Sequence, residues 1–257
     1  MRTNQTKARL KAGETVFGCF YRYPEPGLVE VLGQQGWDFV LLDGEHGTLN
    51  PSDCENLVRA AELHGLTPLV RVTTNQAAVT LRYLDTGVQG VQIPMVNTAQ
   101  EAEYAVQSAK FGPRGGRGLA ASRAASYGQT PGFTFKDYTA RANAETLIIA
   151  QVETVAGVER LAEIVQVPDI DVVFIGPSDL SHSLGLPGEL QHPRVQEVMN
   201  QIIEIVKPTD KALGILVPNA QAAVQWQERG ARYIVTGFEA LLAASCRSYL
   251  QSARARN

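Results

Sequence analysis

The run LLDGEHG, residues 41–47, closes four consecutive apolar residues (Phe39 to Leu42) with two acids and a histidine. Asp43 and His46 stand three residues apart across a strand-to-loop turn, close enough for the carboxylate to orient and polarise the imidazole. His46 then reads as a base working near neutral pH; a solvated strand end is the plainer reading, and Glu45 is assigned to supporting the turn. Gln151 and Glu153 alternate onto one face behind the apolar run LIIAQV, and Asp179 follows in GPSDLS. Two carboxylates that leave positions to water and substrate suit Mg²⁺ or Mn²⁺, with a pair of salt-bridged acids as the alternative. Arg71, flanked by Val70 and Val72, is either half of a structural ion pair or a donor aimed at a carboxylate or developing oxyanion.

These residues share a location: each sits at or just past the end of a short apolar run. Such runs occur at 15–20, 38–43, 68–72, 90–95, 147–153, 171–176, 213–217 and 233–237. Several are almost continuously apolar, as parallel strands buried on both faces are. Helical spacing separates them. Cys54, Leu57, Val58 and Ala61 follow Pro51 and end at Gly65, which gives Cys54 a packing role. Thr98 and Glu101 form a capping-box pattern before Ala102, Ala105, Val106 and Ala109. Val158, Leu161, Ala162 and Val165 repeat the spacing, as do Val195, Val198, Met199 and Ile202. Eight strands alternating with helices, without a break in composition, predict one α/β domain over 1–257, a (β/α)8 barrel with its chemistry at the strands' C-terminal ends. A doubly wound open sheet is the alternative. The long segment 96–146 carries a helix and then FGPRGGRGLAASRAASYG, read either as a ligand-handling loop or as a flexible connection.

Composition narrows the partners. With 44% hydrophobic residues, a net charge of −3 and a pI near 5.9, the chain has no general attraction for nucleic acid or anionic membrane. Cys19, Cys54 and Cys246 lack CxxC spacing and read as reduced thiols rather than a zinc site. Residues 1–14 have no apolar core, and no run approaches the ~20 apolar residues of a membrane span, so a soluble, cytoplasmic protein is expected.

Absences matter as well. None of Lys7, Lys11, Lys110, Lys136, Lys207 and Lys211 falls at a strand's C-terminal end, where a Schiff-base lysine would be needed. There is no GxSxG elbow, Walker loop or GxGxxG fingerprint. His64 and His192 carry no signal and His182 stays open. A cation site, an oxyanion stabiliser and a base remain, which together make an enolate.

LLDGEHG, VRV, LDTGVQGVQIPMV, RGGRGLAASRAA, QVET and VFIGPSDLSHSLGLPGELQHP, in this order between Val16 and Leu250, resemble the class II pyruvate aldolases of the HpcH/HpaI family. The resemblance implies cleavage of a 4-hydroxy-2-oxo acid to pyruvate and an aldehyde, with Mg²⁺, Mn²⁺ or Co²⁺ as cofactor. It implies Glu153 and Asp179 as metal ligands, and Gln151 with the Ser178–Asp179 backbone as the pyruvate site. His46 is then the catalytic base, Asp43 and Asp85 its supporting acids, and Arg71 the group holding the keto oxygen. The implied fold is a phosphoenolpyruvate/pyruvate-type TIM-like barrel whose last helix is exchanged between subunits of a hexamer; EALLAASCRSYL (239–250) is apolar enough for that. FYRYPEP departs from the small residues expected after the first strand, and leaves Arg22 to meet a distal carboxylate, hydroxyls or solvent. Two rival readings are an acyl-CoA carbon–carbon lyase, using Arg114, Arg117 and Arg123 for the nucleotide, and a non-catalytic oxo-acid-binding barrel.

Overall fold

The computed structural model describes residues 2–255, so Met1, Arg256 and Asn257 of the expected 1–257 unit lie outside the described residues. The chain runs α1 (Gln5–Lys11), β1 (Val16–Tyr21), α2 (Pro26–Gln34), β2 (Phe39–Asp43), α3 (Pro51–Leu63), β3 (Thr67–Arg71), α4 (Ala77–Asp85) and β4 (Gly90–Ile93). It continues through α5 (Ala99–Ala109), a 3₁₀ segment (Arg123–Gly128), α6 (Phe135–Glu145), β5 (Leu147–Val152), α7 (Val155–Glu159), α8 (Leu161–Ile164) and β6 (Val172–Ile175). The rest is α9 (Pro177–Ser183), α10 (Pro193–Val206), β7 (Ala212–Leu216), α11 (Ala220–Glu228), β8 (Ala231–Gly237) and α12 (Phe238–Arg254). The strands pair in chain order, all parallel, and β8 returns to β1 to close the barrel. Closure removes the open-sheet alternative.

Alternation along each strand divides the apolar residues between two cores. One set, including Val16, Phe20, Phe39, Leu41, Leu69, Ile149 and Phe174, fills the barrel interior. The other, including Val40, Leu42, Val70, Val91, Ile148 and Val173, packs outward against the helices. Phe39 stacks on Tyr233 with ring centroids 4.4 Å apart, and it fits because β1 carries Gly18 beside it.

The helices follow their end signals. Both α3 and α5 have complete capping boxes, from Asn50 with Asp53 and from Thr98 with Glu101. Cys54 is buried on the inner face of α3, and burial pushes its thiol up to about 12. The expected helix through Val158 to Val165 is broken at Arg160 into two short pieces, so Ile164 and not Ala162 faces the core. The polar N-terminal stretch carries a helix. Capped by Asn4, α1 inserts Leu10 into the interior cluster and sets Lys7 Nζ 2.9 Å from Asp171.

The segment 111–134 follows α5, so it lies at the barrel's N-terminal end. Arg114 pairs there with Glu103 and Asp169, Arg117 with Asp85, and Arg123 with Glu62. It is an anchored connection and lines no part of the strands' C-terminal mouth. Among the described residues no helix is long and apolar enough to cross a membrane.

The Gly18–Phe39 packing gives a direct test. A Cβ at position 18 falls inside the Phe39 ring. Gly18→Ala should cost about 2–3 kcal/mol by overpacking, and calorimetry should find Tm lowered by roughly 5–10 °C for a domain of this size. An unchanged Tm would mean that Phe39 is free to move.

Candidate active site

At the top of the barrel the interior-facing series turn polar. Phe39 and Leu41 on β2 are followed by Asp43, and Leu69 on β3 by Arg71, and these two positions are register partners. Asp43 is fully buried. Its two carboxylate oxygens accept from Arg71 Nε at 3.0 Å and Nη2 at 2.8 Å. Oδ1 also accepts from the backbone N–H groups of Glu45 and His46, each at 3.2 Å, which shapes the turn. Burial opposes the Asp43 charge, but the Arg71 hydrogen bonds and charge and the two N–H groups hold its carboxyl below the ordinary range. The Arg71 guanidinium is held on two further sides: it lies 4.6 Å over the Phe20 ring, and Nη1 is 3.3 Å from Glu45 Oε2.

The opposite wall is a chain of amides ending on a carboxylate. Gln92 on β4 donates to Gln151 on β5, and Gln151 donates to Glu153. Glu153 also accepts from the Met95 backbone N–H at 2.8 Å. Met95 reaches this position with φ 56°, a left-handed conformation that costs a non-glycine residue of order 1–3 kcal/mol. Gly176, which opens α9, is the only residue type that fits here, since a Cβ would stand 2.7 Å from Glu153 Cβ. Asp179 lies in the first turn of α9, exposed, with Ser178 beside it. Burial drives Glu153 above the ordinary carboxyl range; the Gln151 and Met95 bonds oppose this, while Asp179 and Glu45 add repulsion. Glu45 is raised by burial too, with Arg71 opposing and Asp43 and Asp179 adding to it.

The residues present therefore fit a divalent cation. Three acids press on one another, and a cation between Glu153 and Asp179 would offset their charge. Glu153 and Asp179 are the two carboxylates that would hold it; among the described residues no group of three or more His, Cys, Asp or Glu is arranged to hold a metal. A groove of about 490 Å³ opens from here between Glu45, Thr73, Asn75, Met95 and Tyr104.

Two of the expected supporting roles are not met. Asp43 does not bond the His46 imidazole, because Arg71 takes both its oxygens. The acid nearest that ring is Glu45, whose Oε2 lies 3.9 Å from Nε2, and the ring is 57% exposed. Glu45 thus belongs to the site rather than only to its turn. Asp85 ends α4, at the barrel's N-terminal end, and accepts from Arg117 Nη2 at 2.8 Å; within one chain it is not a partner of His46. Arg114, Arg117 and Arg123 are at that same end and form no basic groove at the mouth. Lys110 is desolvated, pushed down to about 8 by burial, but it caps α5 there and donates to backbone carbonyls of Asn143 and Thr146. Gln92 and Met95 were not anticipated; a glutamine in the middle of GVQIPM was the available signal.

The family model HpcH/HpaI aldolase/citrate lyase matches residues 16–246. The 4-hydroxy-2-oxo-heptane-1,7-dioate aldolase of Escherichia coli is 35% identical over 243 residues, covering 94% of this chain and 91% of that protein. The 5-keto-4-deoxy-D-glucarate aldolase of Salmonella paratyphi C is 37% identical over 238 residues, 91% of this chain and 90% of that one. Among solved structures, a HpcH/HpaI aldolase/citrate lyase family protein from Burkholderia cenocepacia superposes with a TM-score of 0.92 at 32% identity, over 98% of this chain and 100% of the other.

The strained Glu153 charge predicts a pH-dependent stability effect. Its folded pKa is raised above 4.5, so its favourable contribution belongs to acid pH and is lost as pH rises through the folded value. In chelator at pH 8, Glu153→Gln should therefore melt higher than the native chain, the gap closing as pH falls towards 4.5. A lower Tm at pH 8 would contradict the assigned strain.

Proposed function

The chain belongs to the HpcH/HpaI aldolase/citrate lyase family and is an aldolase, a carbon–carbon lyase; from that premise we propose that it cleaves and forms 4-hydroxy-2-oxo acids, releasing pyruvate and an aldehyde. The observation that carries the proposal is the clamped Arg71 facing the Gln151–Glu153–Asp179 wall at the barrel mouth. Glu153 and Asp179 would hold Mg²⁺, Mn²⁺ or Co²⁺, which supplies Lewis acidity at the oxo-acid oxygens when bound. Gln151 and the Ser178–Asp179 backbone receive the pyruvate carboxylate end. His46 takes the proton of the 4-hydroxyl, with Glu45 beside it to offset the charge the imidazole gains. The C3–C4 bond then breaks, the aldehyde departs, and the bonding pair remains on the pyruvate half as an enolate. Arg71 donates to the oxygen on which that charge develops, and Asp43 fixes the guanidinium so that it need not reorganise. Proton return to C3 gives pyruvate.

We propose further that the active form is an oligomer, a hexamer by the resemblance, in which α12 is exchanged. No residue of α12 is buried, and Leu241, Leu242, Tyr249 and Leu250 are exposed. Outside β1 and β8, where an eighth helix would pack, an apolar groove of about 500 Å³ is lined by Phe17, Trp37, Val224 and Ile234. Ending the chain after Gly237 should break the oligomer in light scattering. An intact chain that is a monomer there would contradict the exchange.

The activity itself is tested by incubating the protein with Mg²⁺ and a panel of 4-hydroxy-2-oxo acids and assaying pyruvate, and two variants separate the roles. His46→Ala should lower cleavage by roughly 10²–10⁴-fold. It should spare much of any oxaloacetate decarboxylation, which makes the same enolate without a hydroxyl to deprotonate. Arg71→Ala should lower both by about 10²–10³-fold. Equal loss of the two reactions in His46→Ala, with metal and pyruvate still bound, would remove His46 as the hydroxyl base.

A further inference from the structure

The unassigned half of the site is where the aldehyde must sit, and the residues around it are unusual in charge. On β1 the interior-facing series is Val16, Gly18 and Phe20, and Phe20 carries the Arg71 guanidinium on its ring. The next position of that series is Arg22, just past the strand end and about 7 Å beyond Phe20 at the strand rise. It packs on the turn that bears His46, since a Cβ at Gly47 would stand 2.9 Å from Arg22 Cβ. Arg22 Nε lies 3.1 Å from Oε1 of Glu239, in the first turn of α12, and is buried without an aligned hydrogen bond. Tyr23 donates its hydroxyl to the same Oε1 at 2.9 Å.

Resting on the aldolase reading, we propose that Arg22, Tyr23 and Glu239 form the aldehyde subsite and select an uncharged, hydroxyl-bearing aldehyde over one that carries a carboxylate. Complementarity favours the hydroxyl. Glu239 Oε2 and the two Nη groups of Arg22 have no hydrogen-bond partner among the described residues. An acceptor stands next to donors, and a hydroxyl uses both, donating to Oε2 while accepting from Nη. A carboxylate has no proton for Oε2 and meets its charge directly. Arg22 does not compensate, because Glu239 already neutralises it. The departure from small residues at FYRYPEP thus adds a neutral polar clamp rather than an anion site.

The test uses two aldehydes with one carbon skeleton, glyceraldehyde and tartronate semialdehyde, each added to pyruvate by the native full-length chain with Mg²⁺. The native chain should favour glyceraldehyde in kcat/KM by tenfold or more. Glu239→Gln should move the ratio towards the carboxylate by about tenfold, the scale of one charge–charge contact at a half-exposed site. Arg22→Ala, which leaves Glu239 uncompensated, should move it the other way; unchanged melting temperatures check that both variants are folded. A ratio that Glu239→Gln leaves unmoved, or a native preference for tartronate semialdehyde, overturns the subsite. Failure of the native chain to turn over either aldehyde overturns the aldolase reading and the subsite with it.

Discussion

Everything at this site depends on a period of two. A closed parallel barrel forces alternate residues of each strand inward, so one parity carries both the apolar filling and, at the C-terminal end, the polar layer. Phe39 and Leu41 lead to Asp43, Leu69 to Arg71, and Leu147 and Ile149 to Gln151 and Glu153. Shifting any strand by one residue would turn its functional group into the helix layer. The large rings below, Phe20, Phe39, Phe174 and Tyr233, exclude water beneath the polar layer and give it a rigid floor.

On that floor the Asp43–Arg71 pair does two things at once. A buried ion pair adds little net stability once desolvation is counted, but losing one partner leaves an uncompensated charge. Its value lies in orientation: a guanidinium held by two hydrogen bonds, an aromatic face and a second carboxylate has few other places to point. Across the site the opposite strategy applies. Glu153 is buried against Asp179 and Glu45 with only neutral donors to help, and Met95 is strained to provide one of them. Stability is sacrificed there for a concentration of negative charge of the kind a divalent cation would offset.

The strands were legible because parallel strands buried on both faces need near-continuous apolar runs, and the candidate residues Asp43, Arg71, Gln151 and Glu153 lie where those runs end. What escaped the sequence was everything set by contacts across strands. Asp43 and His46 look like a pair at a spacing of three, yet register places Asp43 opposite Arg71, which outcompetes the imidazole for both oxygens. Asp85 precedes a strand, and residues that precede a strand lie at the end of the barrel away from the same chain's chemistry, so within one chain topology already separates it from His46. Arg160 breaks an apparently regular helix through a backbone conformation that no spacing records. Helix α1 was hidden by its charge, since Lys7 is a core residue only because Asp171 is there to meet it.

We propose that this polar layer stabilises a pyruvate enolate. Proton exchange at the methyl group of pyruvate tests it without any aldehyde, by NMR in D₂O with Mg²⁺ and the native chain. Enolate stabilisation predicts progressive loss of the methyl signal, stopped by excess chelator while circular dichroism stays unchanged. Pyruvate that binds to the metal-loaded protein and keeps all its methyl protons would contradict it.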